Sequence, residues 1–124
     1  MNIALWIAQI LLAVVFAGSG SLKISWSKQK LVESGQTGVV FFPLWAIRVI
    51  AALELLGTIG VLVPWATGMA RLLTPLAATG FALLMVGAGI SHSKLREPRN
   101  VAINTLLFAI SVFVAWGRFA DLAS

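Results

Sequence analysis

The chain has 124 residues, of which 60% are hydrophobic and 10% charged, with a formal net charge of +5. An ordinary soluble domain carries roughly 25% charged residues, so a mean hydropathy of +0.99 excludes a water-covered surface and directs the chain into lipid. There is no cysteine, which excludes disulfides, thiolate metal sites and cysteine nucleophiles. The basic residues lie between hydrophobic runs rather than along one polar face, so anionic membrane lipids, and not nucleic acid, are their expected partner.

A hydrocarbon core ~30 Å thick needs ~20 apolar residues per helix, which leaves room for four crossings and their loops in one domain, 1–124. Only helical spans leave no backbone group unpaired in hydrocarbon, so the expected fold class is all-α, a polytopic four-helix membrane bundle. The first helix is expected over about 3–22. Its apolar run and Phe16-Ala17-Gly18 imitate a secretory signal, but Met1-Asn2 provides no basic leader, and the helix is kept as a span. The connection 23–43 mixes Trp26, Leu31 and Val32 with Lys28, Lys30 and Glu33 and reads as an interfacial segment interrupted at Gly35 and Gly38. Further helices are expected over about 44–63, 69–90 and 101–119. Thr74-Pro75 either opens the third or lies one turn inside it, because proline suits a first turn and breaks an interior bond.

Two signals mark the ends of the spans. All five tryptophans, Trp6, Trp26, Trp45, Trp65 and Trp116, fall at or just beyond helix termini, as in an aromatic belt. Lys23, Lys28, Lys30, Arg48, Lys94, Arg96 and Arg99 flank one side and only Arg71 and Arg118 the other, so both termini are expected on the extracytoplasmic side. Small residues, including Ala13, Ala17, Ser21, Gly80, Gly87 and Gly89, are expected at close helix contacts.

The informative residues are polar ones inside the spans. Glu54 falls about ten residues into the second helix, roughly 15 Å deep and near the bilayer midplane. An acid there costs ~2.5–3.5 kcal/mol on insertion scales, so its carboxyl must face the bundle and be paired, hydrated or protonated. A structural clamp between helices and a ligand or proton contact are weighed equally. Lys23 is expected to snorkel to headgroups; Arg48, roughly 120° from Glu54 around the helix, either bridges to it or snorkels. On the third helix the stripe Thr74, Ala78, Phe81, Met85, Ala88, His92 should face inward, as should Asn104, Phe108, Ser111, Ala115 and Arg118 on the fourth. Gln9, Glu54, Asn104 and Ser111 are thus expected to line one interior, with Lys23, Arg48 and His92 at its cytoplasmic mouth and Phe16, Phe81 and Phe108 between. Glu54, Arg48, His92, Lys23, Asn104 and Gln9 are the candidate ligand-binding residues, and no catalytic residue is assigned. An apolar cavity with a few converging polar groups suits a quinone, an isoprenoid or a lipid headgroup with its tail.

Counting disfavours other chemistries. One histidine supplies only one axial haem ligand per chain, and one histidine with one buried carboxylate makes neither a zinc nor a di-iron site. There is no phosphate loop or dinucleotide fingerprint.

Phe16-Ala17-Gly18 with Lys23, Glu54-Leu55-Leu56-Gly57 with Gly60 and Pro64, Leu73-Thr74-Pro75-Leu76-Ala77-Ala78, Gly87-Ala88 with His92, and Gly117-Arg118 follow one another in an order and spacing that resembles the DoxX-like family of small four-helix membrane proteins. The resemblance spans almost the whole chain. It implies a prokaryotic plasma-membrane protein related to a subunit that couples sulfur-compound oxidation to quinone, and to others in membrane redox-stress complexes. With no thiol for a sulfur relay, it implies a quinone- or lipid-binding partner of a redox protein rather than a complete enzyme. Quinone is the one cofactor expected, and a homo-oligomer is an open possibility. A non-catalytic assembly scaffold and a small transporter are the alternative readings.

Overall fold

The computed structural model describes residues 1–124. Four long helices, α1 (Asn2–Ser25), α3 (Leu44–Thr67), α4 (Leu73–Lys94) and α5 (Pro98–Ala123), accompany one short helix, α2 (Lys28–Glu33), and a 3₁₀ turn at Thr37–Phe41. All four long helices are long and apolar enough to cross a membrane. Short polar signals set the breaks between them. The Ser27 hydroxyl accepts from the Lys30 N–H to start α2, Gly35 takes a left-handed φ of 106° to end it, and Pro98 occupies the first turn of α5.

The third span begins four residues later than the sequence suggests. Gly68 (φ 75°) closes α3 in the left-handed conformation and Ala70 (φ 53°) repeats it, so residues 69–72 form a turn, and Thr74-Pro75 falls in the first turn of α4. The same place resolves Pro64, inside α3. A proline there cannot donate to the carbonyl of residue 60; the Thr74 hydroxyl donates to that Gly60 oxygen instead, at 2.9 Å. Deleting one bond in α3 thereby creates a tie to α4.

The helices form a ring in which α1 packs on α3, α3 on α4, α4 on α5 and α5 on α1. Lipid gives helices no hydrophobic reason to associate, so close packing and polar contacts must hold the ring. At its centre Phe16 of α1 stacks on Phe81 of α4, with ring centroids 3.9 Å apart and planes within 5°. Gly57 makes room for that stack: a Cβ there would meet the Phe81 ring at 2.5 Å. Gly20 against Leu55, Gly60 against Ala77 and Gly117 against Leu5 are the other tight approaches. Gly80, Gly87 and Gly89, expected at such contacts, instead open onto space, with nothing within 4 Å of an added Cβ. Phe108 also departs from expectation: it turns outward, 38% exposed, and Leu107 takes the inward position.

Candidate functional site

The Phe16–Phe81 stack separates two polar layers. On the side of the termini, Arg118 is 1% exposed and its Nε donates to Gln9 Oε1 at 2.6 Å, while Gln9 Nε2 donates to the Val61 carbonyl at 2.7 Å. Arg118 Nη1 donates to Asn2 Oδ1 and Asp121 Oδ2, each at 2.9 Å. Its guanidinium lies over Trp65 at 4.5 Å and Trp6 at 5.6 Å. This network ties α1, α3 and α5 together. Gln9 therefore belongs to a clamp and lies outside the site around Glu54.

On the opposite, basic side, Lys23 turns inward. Its Nζ donates to Glu54 Oε1 at 2.7 Å and to Ser19 Oγ at 2.9 Å. Snorkelling, the expectation for this lysine, gives way because Ser19 sits one turn back on the same face of α1 and leads the ammonium toward the carboxylate. Arg48 neither bridges to Glu54 nor snorkels freely: its Nη1 donates to the carbonyls of Lys23 and Trp26, the latter at 2.8 Å. It satisfies carbonyls that the end of α1 leaves without helical partners. By holding the backbone of Lys23, it positions that lysine for Glu54.

Glu54 is 1% exposed, and its second oxygen, Oε2, is buried with no hydrogen-bond partner. An unpaired buried acceptor costs about 1–3 kcal/mol, more when charged. Glu54 and Lys23 line a cavity of about 240 Å³, with Gln36 and Gly38 from the interfacial segment and Ser91 and His92 from α4. Phe42, Ile50, Leu83, Leu84 and Met85 supply apolar wall, and Gly87 bares the α4 backbone to it. The open glycine faces the cavity, which explains why it makes no helix contact.

His92 is held from behind. Its Nδ1 lies 2.7 Å from Glu97 Oε1, and the same carboxylate oxygen accepts from the Thr37 hydroxyl at 2.7 Å. Glu97 lies between the spans, and the hydrogen bond from His92 holds its carboxyl below the usual glutamate range, helped by Thr37 and Asn100. With Nδ1 engaged, Nε2 is the nitrogen facing Gly38, 3.1 Å from where a Cβ would stand. Gly38 is thus required for the imidazole to sit in the cavity wall.

Of the six candidate residues, the structure brings Glu54, Lys23 and His92 to one cavity and sets Arg48 behind it. Gln9 is in the clamp, and Asn104 lies in a groove between α4 and α5, its Nδ2 buried without a partner. Glu97, Thr37 and Gln36 were missed. Glu97 stands immediately before Pro98, a position that reads as a helix cap rather than a histidine's partner, and nothing local links either to Thr37. No three His, Asp or Glu side chains gather as a metal site would require.

Four helices long and apolar enough to span a bilayer define a multi-pass integral membrane protein. The model of the DoxX-like family matches residues 7–114, and the chain belongs to that family. No curated protein and no solved structure matches it.

Proposed function

We propose that the chain binds a neutral-headed amphiphile, with a quinol as the best fit, in the Glu54 cavity. The observation that carries this is that Glu54 lines the cavity and keeps one carboxylate oxygen, Oε2, buried without a partner. A carboxylate oxygen accepts and does not donate, so it calls for a head with an O–H or N–H. A quinol hydroxyl supplies one. The 2.7 Å ion pair with Lys23 leaves the site without net charge, so a neutral ring enters at less cost than a phosphate, which would face the carboxylate with like charge. His92 and Gln36 offer partners for a second head oxygen.

Oxidising a quinol releases two protons and two electrons, and reducing a quinone takes up the same. Glu54, and His92 backed by Glu97, would exchange the protons, and Lys23 would stabilise an anionic ring oxygen. The electrons would pass to or from a partner protein, so the role is that of the membrane component of a redox system. The setting that fits is a prokaryotic plasma membrane with the basic end inside. The scaffold reading draws support from the Arg118–Gln9 clamp, which ties α1, α3 and α5 together.

Native mass spectrometry of protein purified in mild detergent, with extraction of quinones and lipids, tests the proposal. With the protein kept under reducing conditions, a stoichiometric quinol is expected in the wild type and lost in both Glu54→Gln and Gly87→Leu. The second variant fills the cavity from a position where an added Cβ meets nothing within 4 Å, and a melting temperature equal to the wild type's separates its loss of ligand from loss of fold. No small molecule in the wild type, with Glu54→Gln merely less stable, would return Glu54 to a structural clamp.

A further inference from the structure

A second cavity of about 610 Å³ follows the lipid-facing seam between α3 and α4. Every residue lining it is apolar or glycine, so it offers no side-chain partner to a polar head. Its walls include Leu83 and Leu84, which also wall the Glu54 cavity, so the two spaces adjoin across these side chains. Gly57 and Gly60 line the seam where α3 closes tightly on Phe81 and Ala77 of α4, and Gly80 leaves it open, with nothing within 4 Å of an added Cβ. From Leu84 to Leu73 it follows about 16 Å of helix at 1.5 Å per residue, roughly half of a ~30 Å hydrocarbon core. It runs away from the basic end, toward the end bearing the termini. The groove between α4 and α5 shares only Met85 with the Glu54 cavity and carries Ser93, Lys94, Asn104 and Thr105. Hydrocarbon would cover unpaired polar groups there and covers none in the α3–α4 seam.

We propose that the α3–α4 seam is the tail channel of the Glu54 cavity. Resting on the head-site reading above, it names the ligand class: an amphiphile with one long hydrocarbon tail, led past Leu83 and Leu84 along the glycines. A two-tailed phospholipid needs a second apolar groove at the cavity, and none like the seam adjoins it. The single tail can be isoprenoid, as on a membrane quinone, or acyl, as on a monoacylglycerol. The two share the chemistry that the seam recognises.

The test uses the full chain in nanodiscs under reducing conditions and two photoactivatable probes with a diazirine at the tail end, one a long-tailed quinol and one a monoacylglycerol. A tail-less quinol ring is titrated in parallel. Labelling is expected to concentrate on peptides containing Gly60, Leu73 and Leu76 for one of the two probes, which identifies the source, and to be competed by its unlabelled form. Gly80→Leu should abolish that labelling and leave tail-less ring binding unchanged. Labelling spread over every lipid-facing helix, labelling that survives Gly80→Leu, or a change from dimer to monomer in that variant would overturn the channel. The last result would assign the seam to a second copy of the chain. If neither the ring nor either probe binds, the head-site reading fails and the channel with it; ring binding without seam labelling sinks the channel alone.

Discussion

At the level of single residues, the two charges between α1 and α3 carry the most consequence. Breaking a buried ion pair by removing one partner costs about 3–5 kcal/mol, whereas replacing both by apolar groups is often neutral. Lys23→Met and Glu54→Leu should therefore each destabilise the bundle, and the double variant should recover most of the loss, as read from a double-mutant cycle of unfolding in detergent. Equal and additive losses would show that the 2.7 Å contact contributes nothing of its own. Gly57 and Gly80 make a second contrast. Gly57→Ala drives a methyl into Phe81 and should cost about 1–3 kcal/mol by overpacking, while Gly80→Ala meets nothing and should be neutral or stabilising. Melting temperatures of the two variants check this directly. The polar positions inside the spans were legible in the sequence because an acid in hydrocarbon must be satisfied. Which cation satisfies Glu54 was not, since Lys23 and Arg48 both lie within reach and only the Ser19 hydroxyl and the carbonyls ending α1 separate their roles.

At the level of elements, the seam between α3 and α4 joins Pro64 to Thr74. Thr74→Val keeps the shape and removes the donor, leaving the Gly60 carbonyl unpaired, and should lower stability by about 1–3 kcal/mol. With Pro64→Ala the helix regains its own N–H donor, and the threonine should matter less. The interfacial segment depends on Glu97. Folding favours its charged form, so its contribution is complete above the ordinary glutamate pKa of about 4.3 and is lost as the pH falls through the lowered folded value. Protection of the amides across Thr37–Phe41, with the intrinsic exchange rate at each pH divided out, should therefore fall on acidification below that range, and Glu97→Gln should show the lower protection already at neutral pH. Helix number and type were readable from apolar length alone. The start of α4 was not, because the left-handed Ala70 has no sequence signature of the kind Gly68 provides.

Across the whole molecule, the aromatic stack divides a clamp at the terminal end from a cavity at the basic end, a division invisible to helical periodicity, which placed Gln9, Asn104 and Glu54 along a single interior. Small residues misled in the same way: Gly80, Gly87 and Gly89 signalled bare backbone correctly, but what lies over that backbone is space, not another helix. The seven basic residues at one end predict that this end faces the cytoplasm. Because the chain has no cysteine, Ser34→Cys and Ser124→Cys each give a unique label. In intact cells an impermeant maleimide should modify the variant at position 124 and spare that at 34. Whether the free oxygen of Glu54 receives the ligand's head is read by infrared difference spectroscopy of the reconstituted protein during quinol addition. Binding should shift the carboxylate stretching bands of the wild type and of Glu97→Gln, and that shift should vanish in Glu54→Gln. Saturable binding with no carboxylate change, or the same change in Glu54→Gln, would contradict that contact.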